Sequence, residues 1–230
     1  MRVLIDEVSG SFPGRLLDDE SLHDAYRPPR LPWLRANMIS TLDGAATGAG
    51  GTSGSINNAV DKRVFDVLRA QADAVVVGAG TARAEQYGTA DVPLVVVTKQ
   101  GRVPEQLHSA APGAVRLVTC AAAPGLGESR ELLGPEHVMV LGDEEVRLEA
   151  IREALVERDL VNLLCEGGPS LLGGLLAAGE VDEVCATLVP RVIGGGNPRI
   201  VAWAPLDVRL ELQVLVEAES TLLGRWFVTR

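Results

Sequence analysis

The sequence predicts an α/β protein with a mostly parallel central sheet, flanking helices and an antiparallel ribbon at its C-terminal end. Short runs rich in valine and leucine alternate with segments of helical periodicity, which is typical of parallel strands joined by helical crossovers. Most of these runs are apolar throughout, as strands are when both faces of a sheet are covered. The segment 210–216 instead alternates apolar and polar residues, so it can pair with 222–228 as the ribbon.

The chain is expected to divide into a short arm and one domain. Residues 1–31 are rich in proline and charge, which predicts an irregular arm, and residues 32–230 form the domain. The predicted strands lie at 34–39, 74–77, 94–98, 115–119, 137–141, 161–165, 184–189, 210–216 and 222–228.

Helices are predicted from capping residues and apolar spacing. Asn57 or Asn58 can cap a helix that runs to about Gln71, because apolar residues recur there at helical spacing. Asp143 can cap a second helix, and a short third helix begins near Pro169 and ends at Gly179. The apolar residues predicted on the second helix are Val146, Ile151, Ala154 and Leu155.

Composition excludes several classes of function. The 230 residues are 47% hydrophobic and carry a net charge of −10, which argues against nonspecific binding to nucleic acid or to membrane surfaces. No apolar run approaches the length of a transmembrane helix, and Met1 to Asp6 lack the pattern of a signal peptide. We therefore expect a cytoplasmic protein.

The cysteines and histidines point to neither disulfides nor a metal. Three cysteines, none in a C-x-x-C pair, lie in or near apolar runs, so we expect reduced, buried thiols. The three histidines are scattered without ligand spacing, which predicts no zinc site. The residues concerned are Cys120, Cys165, Cys185, His23, His108 and His137.

The loop after the strand at 161–165 carries the most chemical information. It reads Glu166-Gly167-Gly168-Pro169-Ser170 and leads into a helix. Glycines allow a ligand to approach the backbone closely, and the free N–H groups at a helix start bind anions. A carboxylate beside such a site can accept hydrogen bonds from a polar ring. The loop therefore predicts a phosphate-bearing cofactor next to a small polar substrate.

Ligands in open α/β sheets bind beyond the carboxyl ends of the strands, so the other strand ends are also candidate sites. Their signals are weaker than that of the Glu166 loop. The run from Gly78 to Thr81 is half of a dinucleotide fingerprint, or else a tight strand-to-helix turn. Lys99 and Arg102 can hold a 2′-phosphate or be ordinary solvated charges. Asp43 has an alternative role as a turn residue. Arg69 can instead have a purely structural role, because a cation near the C-terminal end of a helix interacts favourably with the helix dipole.

Three ordered motifs resemble the reductase domain of the bacterial riboflavin-pathway protein RibD. They are NMISTLDGAA (37–46), DKRVFDVLRAQADAVVVGAGTARAE (61–85), and EGGPSL (166–171) followed by GEVDEV (179–184), Pro190 and IGGG (193–196). The resemblance implies the fold of dihydrofolate reductase. The sequence has no H-x-E with P-C-x-x-C, the signature of the zinc deaminase domain often fused upstream, so it looks like the free-standing actinobacterial-type form.

The resemblance also implies an activity and a site. The family uses NADPH to reduce 5-amino-6-(5-phosphoribosylamino)uracil to its ribitylamino product, and a homodimer is expected. The implied catalytic residues are Asp43 and Glu166, with Asp43 where nicotinamide and substrate should meet. The implied cofactor residues are Asp43, Gly78, Gly80, Thr81, Glu85, Thr98, Lys99, Gly167, Gly168, Pro169, Ser170, Leu171 and Leu172. The implied substrate residues are Ser53, Arg69, Glu85 and Glu166, with Arg69 on the substrate phosphate and Glu166 on the pyrimidine N–H groups.

Two departures from the family pattern keep other functions open. Asn37 stands where the family often has lysine, and Glu85-Gln86-Tyr87-Gly88 lacks the proline and the phosphate-binding arginine that usually follow the Thr81 loop. One alternative is a reductase of a pterin such as dihydrofolate on the same fold. Another is a non-catalytic module that binds NADP.

Overall fold

A computed structural model describes residues 1–8, 10, 12–89 and 91–229. Its strands are β1 (Arg2–Asp6), β2 (Trp33–Thr41), β3 (Ala74–Gly78), β4 (Leu94–Val97), β5 (Val115–Thr119), β6 (Val138–Val140), β7 (Asn162–Cys165), β8 (Glu183–Val189), β9 (Leu210–Ala218) and β10 (Thr221–Val228). Its helices are α1 (Asp19–Ala25), α2 (Ala59–Gln71), α3 (Ala79–Ala84), α4 (Leu126–Leu133), α5 (Ile151–Val156) and α6 (Pro169–Ala177).

The strands form one sheet in the order β1-β9-β10-β8-β2-β7-β3-β4-β5-β6. Neighbours from β8 to β6 are parallel, whereas β10 pairs antiparallel with both β8 and β9. The predicted parallel sheet and C-terminal ribbon are therefore confirmed. Because β2, β3 and β7 are neighbours and run the same way, the loops that follow them meet at one edge of the sheet.

Helices cover both faces of the sheet. On one face, α1, α2 and α3 contribute buried residues such as Leu22, Leu68 and Ala82 to an aliphatic core. On the other face, α5 and α6 contribute Leu155 and Leu172. This two-sided cover explains why the central strands are apolar along their whole length.

The N-terminal segment is not irregular, so that prediction is wrong. Residues 2–6 form β1, which pairs antiparallel with β9, and residues 19–25 form α1, whose N-cap Asp18 accepts a hydrogen bond from the Ser21 N–H. A single strand of five residues at a sheet edge carries too little periodicity to be recognised without its distant partner.

The helix predicted after Asp143 begins later than expected. A single 3₁₀ turn over 148–150 leads into α5 at Ile151, with Ala150 at the N-cap, so Asp143 is not a cap and Val146 lies outside the helix. The helices α1 and α4 were not predicted. By contrast, Asn58 caps α2 as predicted, through a hydrogen bond from the Asp61 N–H.

A buried ion cluster joins the ribbon to the N-terminal segment. The Glu183 carboxylate accepts hydrogen bonds from Arg35 at 3.2 Å, Arg225 at 3.0 Å and the Trp33 indole at 2.8 Å. The two arginines also donate to backbone carbonyl oxygens at the end of α1, including that of Tyr26. Since both guanidinium groups and the carboxylate are buried, this cluster fixes α1 onto the centre of the sheet.

The cysteines agree with the expectation of buried thiols, since all three are free and buried. Among the described residues, no helix has the length and apolar character needed to cross a membrane.

Candidate active site

The loops after β2, β3 and β7 enclose a cavity of about 400 Å³, called here the inner cavity. Its walls combine apolar surface with several polar side chains from α2 and from the strand ends. The polar side chains are Asn37, Thr47, Ser53, Asn57, Asp61, Thr81, Glu85, Tyr87, Glu166 and Ser170. A mostly apolar cleft with converging polar groups is the usual form of a small-molecule site.

Glu166 is the centre of a charged cluster at the wall of the inner cavity. Its two carboxylate oxygens accept hydrogen bonds from Arg69 Nε and Nη2, both at 2.8 Å, and the Tyr87 hydroxyl donates to one of them at 2.6 Å. The Arg69 guanidinium also lies 4.4 Å from the centre of the Phe65 ring. The pair is therefore bidentate and held in one orientation by an aromatic side chain.

This cluster stabilises particular protonation states. The hydrogen bond to Glu166 raises the pKa of the Arg69 guanidinium. Burial, together with the negative charge of Glu166, raises the pKa of the Tyr87 hydroxyl well above its usual value, so Tyr87 stays a proton donor in its hydrogen bond. The oxygens of Glu166 are therefore held by three donor groups at the wall of the cavity.

Two glycine turns cross at the mouth of the cavity. The Gly78 N–H donates to the Gly167 carbonyl oxygen at 2.8 Å, and the Gly167–Gly168 peptide is cis. A Cβ added at Gly168 would collide with Thr81 Oγ1, and one at Gly78 would lie 3.5 Å from the Gly168 nitrogen. The close approach of this loop to Thr81 therefore requires glycine at position 168, whereas a Cβ at Gly78 would make an ordinary contact.

The first turn of α6 is open to an anion. Gly168 is the N-cap and Pro169 the first helical residue, and no described side chain caps the free N–H groups of this turn. Ser170 is the second helical residue, two positions from the cap. Backbone donors and the helix dipole together favour a phosphate at this end of α6.

A second cavity of about 400 Å³, called here the outer cavity, continues from the inner one. Gly80 and Ser170 line both cavities, so one extended ligand can occupy both. The outer cavity is also lined by Gly78, Arg83, Val97, Thr98, Lys99, Glu145, Leu171 and Trp203. Lys99 forms an ion pair with Glu145, and Arg102, which was expected beside it, does not line the cavity.

Comparison with known proteins identifies the family. The model of the RibD C-terminal domain matches residues 32–222. The chain belongs to this family. It is 30% identical over 181 residues to the 2,5-diamino-6-ribosylamino-4(3H)-pyrimidinone 5′-phosphate reductase of Archaeoglobus fulgidus, covering 71% of this chain and 83% of that protein. The protein of the same name from Methanothermobacter thermautotrophicus is 30% identical over 201 residues, or 79% and 91% of the two chains.

A solved structure supports the same assignment for the RibD-family chain. A pyrimidine reductase-like protein from Corynebacterium diphtheriae superposes with a TM-score of 0.75 and 26% identity, over 86% of this chain and 92% of that one. The predicted dihydrofolate reductase-like fold and the resemblance to pyrimidine reductases are confirmed.

Most of the predicted site residues come together. Ser53, Gly80, Thr81, Glu85, Glu166, Gly168, Pro169 and Ser170 line the inner cavity, and Gly78, Thr98, Lys99 and Leu171 line the outer one. The Glu85 carboxylate also accepts the Ser53 N–H at 2.6 Å, which ties the loop after β2 to α3.

Four predicted residues lie outside the two cavity walls. Arg69 reaches the inner cavity only through Glu166, and the Gly167 carbonyl faces Gly78. Leu172 is buried in the core. Asp43 accepts hydrogen bonds from Thr41 and from the backbone N–H groups of 193 and 194, and these bonds lower its pKa. Its carboxylate therefore joins two loops, and its predicted catalytic role stays a prediction.

Two ionisable residues that line the inner cavity were missed. Tyr87 was noted only as a departure from the family pattern, yet its hydroxyl contacts Glu166. Asp61 was not singled out, although it shares the buried face of α2 with Val64 and Leu68. Asp61 precedes Val64 by three residues and Leu68 by seven, so helical periodicity places its carboxylate on the buried face of α2. A carboxylate on such a face is unusual, and the sequence alone contained this signal.

Proposed function

We propose that this protein is an NADPH-dependent reductase of a phosphoribosylamino-pyrimidine in riboflavin biosynthesis, with 5-amino-6-(5-phosphoribosylamino)uracil as its substrate. The observation that carries this proposal is the junction of the two cavities at the Gly168 turn, beside the buried Glu166 carboxylate. A dinucleotide needs an extended groove with a backbone anion site along it, and a small polar ring needs an enclosed pocket.

The residues present fit a nicotinamide dinucleotide. The uncapped first turn of α6 and the close glycine turns suit a diphosphate. In the outer cavity, Arg83 and Lys99 supply positive charge for a 2′-phosphate, which would favour NADPH over NADH. When bound, NADPH supplies the hydride, and the protein supplies orientation and electrostatics.

Glu166 is suited to orient the pyrimidine ring. A carboxylate offers about four acceptor positions, and Arg69 and Tyr87 occupy three of them, so one more N–H donor can be accepted. Because the oxygens of Glu166 accept hydrogen bonds, this side chain would favour the ring edge that carries N–H groups. The predicted contact between Arg69 and the substrate phosphate requires that Arg69 serve both Glu166 and the phosphate.

The test is steady-state NADPH oxidation by the purified chain with three substrates. The first is the uracil compound, the second is the 2,5-diamino-pyrimidinone that names the two archaeal relatives, and the third is dihydrofolate. The first two differ at ring position 2, so their kcat/KM ratio shows which form is preferred. Turnover of dihydrofolate alone would favour the pterin alternative. NADPH binding without any turnover would favour the non-catalytic module.

Replacing Glu166 with glutamine is expected to lower kcat/KM for the pyrimidine by about 100-fold, or about 2.7 kcal/mol, which is within the range for a hydrogen bond to a charged group. The affinity for NADPH should change little, because Glu166 lies on the substrate side of the Gly168 turn. Glu128→Gln on the exposed surface of α4 is the matched control. Unchanged kinetics for Glu166→Gln would remove Glu166 from the substrate site.

We also propose that the protein is cytoplasmic and forms a homodimer, as the family resemblance implies. Sedimentation velocity of the purified chain measures the assembly directly. A single species at the mass of one 24.3 kDa chain would contradict the dimer.

A further inference from the structure

Asp61 is a buried carboxyl group in the wall of the inner cavity. It lies in the first turn of α2, and only 4% of the residue is exposed. Its backbone N–H donates to Asn58 Oδ1 at 2.9 Å, and its side chain accepts a hydrogen bond from the Thr187 hydroxyl of β8. None of the ion pairs formed within the described ranges involves Asp61.

The carboxyl groups of the inner cavity thus have different environments. Glu166 is neutralised by a bidentate arginine, and Glu85 accepts a backbone N–H. Asp61 is buried and has no cationic partner in the part of the chain that the structure describes. Burial raises the pKa of its carboxyl group despite the opposing hydrogen bond from Thr187. A buried carboxyl group whose pKa is raised is suited to donate a proton.

We infer that Asp61 donates the proton that the reduction requires. This inference rests on the proposed function. Hydride adds to C1′ of the ribosylamino group, the C1′–O4′ bond breaks, and its electron pair stays on O4′. O4′ then takes the proton from the Asp61 carboxyl group, which is left as a carboxylate and regains a proton from water. The product is the open-chain ribityl alcohol.

A purely structural role for Asp61 makes a different prediction. An ionised aspartate in the first turn would stabilise α2 through the helix dipole, as acidic residues do there. Such a residue would matter for stability and would leave the pH dependence of turnover unchanged. The kinetic pH profile therefore separates the two roles.

The central experiment compares Asp61→Asn with the intact protein and with Asp66→Asn. Asp66 lies on the same helix, and its side chain is exposed and outside both cavities, so it is the matched control. Asparagine keeps the size and a hydrogen-bond donor at position 61 and removes the acid. We expect kcat to fall by about 100-fold, within the range for general acids, with little change in KM or in NADPH affinity.

The pH dependence of kcat is the measurement that a purely structural role of Asp61 would leave unchanged. In the intact protein, kcat should fall as pH rises through the pKa of Asp61, because the donor must be protonated, and this limb should be absent in Asp61→Asn. The neutral Thr187 of β8 faces Asp61, and the Thr221 hydroxyl of β10 accepts a hydrogen bond from the neighbouring Asn58 side chain. The other ionisable groups that line the inner cavity or lie on α2 are Glu85, Tyr87, Glu166, Lys62, Arg63, Asp66 and Arg69.

Urea denaturation tests the protonation of Asp61 independently of turnover. An acid whose pKa is higher in the folded state than its ordinary value of 3.8 costs stability as it ionises. The stability advantage of Asp61→Asn over the intact protein should therefore grow as pH rises from about 4 through the raised pKa and then become constant. The same experiment shows that the variant is folded.

The outcomes separate this inference from the proposed function. If the intact protein reduces the pyrimidine and Asp61→Asn keeps its kcat or its basic limb, the proton-donor role is wrong and the proposed function stands. A stability difference that does not vary with pH also overturns the inference. If the intact protein reduces no pyrimidine, the proposed function fails and the inference fails with it.

Discussion

Gly168→Val is expected to weaken NADPH binding by at least about 100-fold, which corresponds to about 2.7 kcal/mol. A Cβ at this position would collide with Thr81 Oγ1, so the turn must move away from α3. The open N–H groups of α6 would then no longer face the junction of the two cavities. Isothermal titration calorimetry with NADPH measures the effect directly.

Two further variants make the Gly168 test specific. A Cβ at Gly127, within α4, meets no atom of the described residues within 4 Å, so Gly127→Val should bind NADPH normally. Combining Gly168→Ala with Thr81→Ala should recover part of the affinity lost in Gly168→Ala alone, because the colliding hydroxyl is gone. Full NADPH affinity in Gly168→Val would show that the diphosphate binds elsewhere.

Glu183→Gln should destabilise the fold by about 3–5 kcal/mol, the range for breaking a buried ion pair. The substitution leaves Arg35 and Arg225 charged and buried without a counterion. Burial alone would raise the pKa of Glu183, but the two guanidinium groups outweigh it and hold this pKa below its usual value. Urea denaturation at neutral pH measures the loss.

The pH dependence of this loss has a definite sign. Because the folded pKa of Glu183 is lowered, its stabilising contribution is complete above the ordinary pKa of 4.5 and is lost as pH falls through the folded value. The difference between Glu183→Gln and the intact protein should therefore shrink on acidification. The control is Glu217→Gln, whose exposed pair with Arg2 should contribute within about 1 kcal/mol. Equal losses for the two variants would contradict the importance of the buried cluster.

The sequence was sufficient to predict those elements whose local residue pattern agrees with the tertiary structure. The run 115–119 was predicted with the observed bounds, and Asn58 was correctly a candidate cap of α2. Valine-rich strands and capping side chains depend on neighbours within a few residues, so their signals survive without knowledge of the fold.

The sequence was insufficient to predict elements and contacts whose interacting residues are far apart along the chain. β1 is defined by pairing with residues 214–217. In the loop before α5, the Asp143 carbonyl oxygen accepts a hydrogen bond from the distant Ala122 N–H. In the site, spacing placed Glu166 at a strand end, but its partner Arg69 lies 97 positions away. Which predicted residues neutralise one another is decided only when the strands assemble.

The pairing of β1 with β9 has a consequence for synthesis of the chain on the ribosome. Arg2 aligns with Glu217, 215 positions further along the chain. β1 therefore leaves the ribosome well before its partner strand is made, and its edge stays unpaired in the meantime. Since exposed edges invite aggregation and distant pairings close slowly, completion of the sheet must wait for β9, and nascent chains that lack β9 should be the forms most dependent on chaperones.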